Sequence, residues 1–136
     1  CAMKQIVNYN KKISGPIMDR IDIRIDVPRV KIEELMSKEE GESSKKIKER
    51  VSKTAQIQIR RQGKLNGKLS NKELKKVANL TDKAENFLKQ ASMNLKLTAR
   101  SVNRIIKISR TIADSFESRN IEINHVSEAL NYRGTR

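Results

Sequence analysis

The run from Ile21 to Val27 alternates apolar and charged residues strictly, and its apolar positions are β-branched. This alternation predicts a strand with one buried face. A lone strand leaves backbone N–H and C=O groups unpaired, and no second good strand follows it in the sequence. We therefore expect its partner strands to come from sequence upstream or from another chain. Because the chain also does not begin with Met, we expect it to be a piece of a longer protein.

After Pro28 the periodicity is helical throughout. Helix-capping residues predict where the longer helices begin: Ser43 or Ser44 for a helix reaching about Arg61, Ser70 with Glu73 as a capping box, then Thr81, Thr98 and Asn124. The helix after Thr98 shows the clearest 3.6-residue pattern, with inward positions at Val102, Ile105, Ile106, Ser109, Ile112, Ala113 and Phe116. The predicted fold class is therefore mainly α, a helical bundle preceded by one orphan strand.

Shorter elements complete this prediction. Short helices are expected at 3–12, 16–20 and 30–37, and residues 63–69, with two glycines, are expected to form a flexible connection. In the helix that ends near Arg61, a narrow apolar stripe is predicted at Ile47, Val51, Ala55 and Gln58.

The formal net charge is +14, and the chain has two Tyr, two Phe and no Trp. The excess positive charge has two explanations of equal weight. It points to a polyanionic partner, or it is the solvated surface of a protein from a Lys-rich proteome. Modules that stack nucleic-acid bases interleave aromatic with basic residues, a pattern that is missing here.

Motifs for a stand-alone enzyme are missing from the sequence. Gly63 to Gly67 does not follow the GxxxxGK[ST] form of a phosphate-binding loop. His125, the single histidine, lies at a helix start and is interpreted as structural rather than as a catalytic base. Cys1 cannot form an internal disulfide or a metal site alone, so no metal site is predicted. No apolar stretch is long enough for a membrane span and no signal peptide is visible, so we expect a cytoplasmic protein without a membrane partner.

Arginines at two places are candidates for phosphate contacts. Arg20 lies between a Gly-Pro turn and the predicted strand, where an exposed guanidinium could stabilise charge on a phosphoryl group. An ion pair of Arg20 with Asp19 or Asp22 is the alternative and is favoured on the residues alone. Arg100 is predicted in the first turn of its helix, where the helix dipole already favours anions, and Arg104 follows one turn later.

Taken together, the chain resembles the magnesium-chelatase-like (ComM/YifB) family of AAA+ ATPases. The resemblance rests on YNKKISGPIMDRIDIRIDV from Tyr9 to Val27, the GESS turn from Gly41 to Ser44, LTARSVNRIIKISRTIAD from Leu97 to Asp114, and HVSEALNYR from His125 to Arg133. These motifs occur in the family's order and spacing across nearly the whole chain.

The resemblance implies the end of an α/β ATPase core at 1–30, a helical connection at 31–66 and a helical lid at 67–136. It implies that Arg20 is an arginine finger acting on ATP of a neighbouring subunit, and that Arg100 is the sensor-2 residue, with Arg104 a weaker nucleotide contact. ATP and Mg²⁺ would bind the full-length protein, an upstream ATPase core and subunits of a homo-oligomeric ring would be its partners, and the chain alone would not hydrolyse ATP.

The branch with these motifs is associated with a hexameric motor for DNA translocation and branch migration, which makes DNA a further expected partner. Two alternatives stay open: a stand-alone basic helical nucleic-acid-binding module, and an ATPase subunit of a metal chelatase. The orphan strand speaks against an independent module.

If the net charge serves DNA binding, that binding should be weak, independent of sequence and steeply salt-dependent, because charge without stacking aromatics contacts only phosphates. Titrating two unrelated duplexes at two salt concentrations measures this. A strong preference for one sequence would contradict it.

Overall fold

The computed structural model describes residues 17, 20–32, 36 and 41–133. Within this part the protein is mainly helical, as predicted. Its helices are α1 (Ser44–Gln62), α2 (Asn71–Val77), α3 (Asp82–Asn94), α4 (Ala99–Ser115) and α5 (Ile123–Asn131), and a 3-10 turn (Asn66–Lys68) joins α1 to α2. Of the expected short helices, the one at 3–12 lies outside the described residues, whereas Ile17 and Ile32 are in helical conformation.

Side-chain caps begin four of the helices where the sequence predicts them. The hydroxyl oxygens of Ser43, Thr81 and Thr98 accept from backbone N–H groups of the first turns of α1, α3 and α4, respectively. At the start of α2 the capping box is complete, since Ser70 Oγ accepts from Glu73 N and Glu73 Oε2 accepts from Ser70 N at 2.8 Å.

The last helix begins differently from the prediction. It starts at Ile123 with Glu122 in the N-cap position, so the prediction of Asn124 as the cap was wrong. The physical reason is a capping box that places His125 at N3, where its buried imidazole Nδ1 accepts the backbone N–H of Glu122 at 3.1 Å.

Helix α4 lies at the centre of the bundle and packs against α1, α2 and α5, while α3 packs against α5. Most of the buried apolar side chains form one core, comprising Ala78, Ala84, Leu88, Ile105, Ile112, Ala113, Ile121, Val126 and Ala129. The helical periodicity predicted Ile105, Ile112 and Ala113 correctly, but Phe116 is 67% exposed, because α4 ends at Ser115 and the chain turns there.

The connection between α1 and α2 is packed rather than flexible, which corrects the prediction for 63–69. Gly63 ends α1 in the left-handed conformation, at φ 74°, and its N–H reaches Ile59 O at 2.7 Å. Asn66 and Leu69 are then buried at 1% and 4% exposure. Gln58, the buried residue of α1, accepts the Asn66 backbone N–H, which explains why a polar residue stands in the predicted stripe.

A buried carboxylate ties α1, the 3-10 turn and α4 together. Asp114 is 1% exposed and accepts hydrogen bonds from both terminal nitrogens of Arg61, from Nε of Arg110 at 3.1 Å and from Nδ2 of Asn66 at 2.9 Å. We name Arg61, Asn66, Arg110 and Asp114 the Asp114 cluster. Two cations share one carboxylate in it, so each guanidinium needs further acceptors.

Arg110 finds those acceptors on the backbone. It is 1% exposed and donates to the carbonyl oxygens of Ala78 at 3.4 Å, Arg119 at 2.9 Å and Ser118 at 2.5 Å. Its guanidinium thus fixes the loop after α4 to the end of α2. Beside it, Leu80 and Ile121 form an isolated parallel β-bridge, which brings the starts of α3 and α5 together.

Residues 21–31 have no regular secondary structure, so the strand predicted at 21–27 is not formed in this chain. Its apolar side chains are exposed, with Ile25 at 68% and Val27 at 86%. The physical reason is that an extended segment becomes a strand only when a neighbour pairs with its backbone. The described part of the segment contacts the bundle at two points instead, from Arg24 N to Tyr132 O at 2.7 Å and from Asp22 to Arg104 through an ion pair.

The domain boundaries expected at 30/31 and 66/67 stay predictions. None of the described helices is long and apolar enough to cross a membrane.

Replacing Asp114 by Asn should lower the free energy of unfolding of this chain by about 3 kcal/mol or more, because the buried guanidinium of Arg110 and the partly buried one of Arg61 lose their shared counter-charge. The matched control is Glu117→Gln, which breaks the exposed pair between Lys53 and Glu117 and should cost less than about 1 kcal/mol. Urea denaturation measures both. Equal losses in the two variants would contradict a special role of the buried carboxylate.

Candidate functional site

Arg20 lies exposed at the turn that precedes the extended segment. Its backbone N–H donates to Ile17 O at 2.9 Å, which closes the turn. Of the two carboxylates expected as ion-pair partners, Asp22 pairs with Arg104 instead, and Asp19 lies outside the described residues. The turn thus presents the Arg20 guanidinium at the surface of the chain.

Arg100 is exposed in the first turn of α4, as the sequence predicts. This turn carries no acidic residue, and Thr98 caps it by accepting from Ser101 N at 3.2 Å. The start of a helix of 17 residues bears a partial positive charge from its aligned peptide dipoles. An exposed guanidinium beside it adds a bidentate donor of the geometry that phosphate prefers.

Arg104 follows one turn later and forms an ion pair with Asp22, with 2.5 Å between Nη1 and Oδ1. Its side chain is 21% exposed. A direct contact of Arg104 with nucleotide stays a prediction. In the structure, Arg104 contacts the segment that carries Arg20, through Asp22.

Arg24 and Arg133 also belong to this end of the bundle, and the sequence reasoning missed both. Arg133 Nη2 donates to Ser101 Oγ at 2.7 Å, in the same turn as Arg100. Arg24 reaches the carbonyl of Tyr132 through its backbone, and its Nε is buried without a hydrogen-bond partner. For Arg133, the topology of the chain could have given the signal. The last helix follows α4 after a short connection, so it runs back along α4 and brings Tyr132 and Arg133, at its C-terminal end, to the start of α4.

We name Arg20, Arg24, Arg100, Arg104 and Arg133 the arginine-rich end. Asp22 is the carboxylate that pairs with one of its members. Exposed guanidinium groups and one unsatisfied buried N–H are donors that suit the oxygens of phosphates. Mg²⁺ takes oxygen ligands, above all carboxylates and phosphates, so this end fits the phosphates of a nucleotide and not its metal ion.

His125 is buried, and its ring stacks on Phe116 with 6.0 Å between centroids and 23° between planes. Together with the bond from Glu122 N, this confirms the structural interpretation of the histidine. Burial lowers the pKa of the imidazole below its usual value, so the neutral ring is the form that the fold favours.

Comparison with known families finds two matches along the chain. Residues 41–133 match the family model described as magnesium chelatase, subunit ChlI C-terminal. Residues 1–35 match the model described as magnesium chelatase, subunit ChlI.

Individual relatives agree with these matches. The chain is 40% identical to competence protein ComM of Haemophilus influenzae over 131 residues and 34% identical to the uncharacterized protein YifB of Escherichia coli over 135 residues. These alignments cover 96% and 98% of the chain but 26% of each relative. The chain therefore spans about a quarter of the length of the relatives that it matches.

The buried histidine makes stability depend on pH. Its pKa in the folded protein is below that in the unfolded chain, so the unfolded state takes up the proton first. The free energy of unfolding should therefore be highest above about pH 6.5 and should fall as the pH is lowered from there.

The measurement is urea denaturation at pH 7.5 and 5.5, a window in which the single histidine is the side chain that titrates. The control is His125→Asn, whose amide oxygen can accept the Glu122 N–H but does not titrate, and its stability should change less between the two pH values. The same pH dependence in both proteins would contradict the assignment.

Proposed function

Because the chain belongs to the magnesium chelatase ChlI C-terminal family, we propose that it forms the end of the ATPase core and the helical lid of a ComM-like AAA+ ATPase. In this proposal the chain contributes Arg20 and Arg100 to ATP hydrolysis in an oligomer. The whole protein acts as a DNA translocase or branch-migration motor.

The proposed division of labour follows the expected domains. Residues 1–30 complete the ATPase core, residues 31–66 connect it, and residues 67–136 form the lid. The core upstream of this chain binds the nucleotide base and the Mg²⁺ ion. Neighbouring subunits of a homo-oligomeric ring, proposed to be a hexamer in the cytoplasm, complete each site.

Arg100 acts in this proposal as the sensor-2 residue of its own subunit. It is exposed at the positively polarised start of α4, and Arg133 brings a further guanidinium to the same helical turn through Ser101. When the lid closes, Arg100 donates to the nucleotide phosphates and so links lid position to nucleotide binding. Arg104, one turn further, is a weaker proposed contact.

Arg20 acts as the arginine finger on the ATP of the neighbouring subunit. An exposed guanidinium on a tight turn can approach another subunit without a large change of its own chain. There it stabilises the charge that develops on the transferred phosphoryl group, an effect worth about 10³–10⁵ in rate.

The observation that carries the proposal is the arginine-rich end itself. The two arginines assigned to ATP come from segments far apart in sequence, and the ion pair of Asp22 with Arg104 joins these segments. Arg133, which follows the Tyr132 carbonyl that accepts from Arg24 N, donates to Ser101 in the turn of Arg100. A buried donor without a partner, Arg24 Nε, lies in the same region. Guanidinium groups gathered at one end of the bundle repel one another, and a bound anion would offset that repulsion.

Support for DNA as the substrate of the motor comes from α1. The first half of this helix is exposed and carries basic residues on its surface, comprising Lys45, Lys46, Lys48, Arg50 and Lys53. Lysines and arginines on one exposed helix suit contacts to a phosphate backbone.

Two alternatives make different predictions. A stand-alone nucleic-acid-binding module would not need Arg20 or Arg100 for any ATP-dependent step. A chelatase subunit would need both arginines for ATP hydrolysis, but DNA would not stimulate its turnover.

In the full-length protein, Arg20→Ala should lower the ATP hydrolysis rate about 10³-fold or more while leaving ATP binding nearly unchanged, because a finger acts on the transition state. Mixing Arg20→Ala subunits with subunits mutated in the phosphate-binding loop should restore activity at mixed interfaces. Arg100→Ala acts within its own subunit, so the same mixing should give no rescue. Steady-state turnover and nucleotide titration measure these effects.

The matched control is Arg119→Ala, which removes an exposed arginine near the other end of α4 and should leave turnover unchanged. Wild-type turnover by Arg20→Ala would refute the finger assignment. Rescue of Arg100→Ala by mixing would refute its action within its own subunit.

A further inference from the structure

The segment that follows Arg20 is held to the helical bundle at two points. Asp22 Oδ1 lies 2.5 Å from Nη1 of Arg104 on α4. Arg24 N donates to the carbonyl of Tyr132, just after α5, at 2.7 Å. Residues 21–31 have no regular secondary structure, so these contacts fix a segment that no sheet holds.

The two members of the ion pair lie close in sequence to the two arginines assigned to ATP. Asp22 follows Arg20 by two residues, and Arg104 follows Arg100 by one helical turn. The pair therefore joins the turn that presents Arg20 directly to the helical turns that present Arg100. A displacement of α4 would pull on Asp22 and move the Arg20 turn with it.

The exposure of the pair matters for its role. Asp22 is 49% exposed and Arg104 is 21% exposed, so the pair is partly screened by solvent. Partly exposed ion pairs add little to global stability. Such a pair suits a contact that sets the position of a segment and can break and re-form during a cycle.

We infer that Asp22 and Arg104 are positioning residues that couple the Arg20 turn to the lid. This inference rests on the proposed function. Because Arg20 serves the ATP of the neighbouring subunit and Arg100 serves the ATP of its own subunit, the ion pair links two nucleotide sites of the ring through one chain. Closure of the lid on the nucleotide of one subunit then changes the position of Arg20 at the ATP of the neighbouring subunit.

The test compares Asp22→Arg, Arg104→Asp and the double variant with exchanged charges, all in the full-length protein. Without nucleotide, amide hydrogen exchange at Arg24 should rise about fivefold or more in each single variant and return towards the wild-type rate in the double variant. This readout does not depend on ATP hydrolysis.

A second readout is steady-state ATP hydrolysis. Asp22→Arg should lower kcat about fivefold or more with KM nearly unchanged, because the nucleotide site of its own subunit stays intact. The exchanged double variant should recover part of the lost kcat, because the restored pair repositions the Arg20 turn while the weaker proposed nucleotide contact of Arg104 stays lost. Arg104→Gln serves as a milder variant should a charge reversal disturb folding, and it should raise exchange at Arg24 in the same way.

The matched control is Asp26→Arg, which makes the same charge change four residues further along the exposed segment. It should alter neither exchange nor kcat. The positioning role alone would be overturned if Asp22→Arg kept the wild-type amide exchange at Arg24 and the wild-type kcat while Arg20→Ala lost ATP hydrolysis. Wild-type turnover by Arg20→Ala would overturn the proposed function and the positioning role together.

Discussion

The buried carboxylate of Asp114 is the interaction on which the helical bundle depends. It draws Arg61 at the end of α1, Asn66 in the 3-10 turn and Arg110 of α4 to one point inside the bundle. A carboxylate in the interior requires such donors, and the cations around it require further acceptors. Arg110 takes these from the backbone of the loop after α4. The cluster thereby fixes α4, whose other end presents Arg100.

Much of the fold could be predicted from local sequence signals. Hydroxyl side chains at Ser70, Thr81 and Thr98 begin helices because each satisfies an N–H that the helix itself leaves unpaired. The start of α5 was predicted wrongly because there the imidazole of His125, inside the helix, accepts the unpaired N–H of Glu122. Residues 63–69 were misread because two glycines suggest flexibility, whereas the burial of Asn66 depends on partners more than 40 positions away.

In the candidate site, too, the sequence predicted some residues, whereas others were seen only in the structure. The resemblance pointed to Arg20 and Arg100, and both are exposed in the structure. The ion pair of Asp22 with Arg104, and the contact of Arg133 with Ser101, follow from tertiary packing and have no local signature. A signal did exist for the Asp114 cluster, since Arg110 and Asp114 interrupt the apolar face of α4 at a spacing of four residues.

The most direct test of the account is the structure of the full-length oligomer with a non-hydrolysable ATP analogue. The account predicts that, at each occupied site, Arg100 of the subunit that binds the nucleotide and Arg20 of its neighbour both lie within hydrogen-bond distance of phosphate oxygens. It also predicts that Asp114 keeps its bonds to Arg61 and Arg110. A structure in which both Arg20 and Arg100 face solvent, away from the nucleotide, would contradict it.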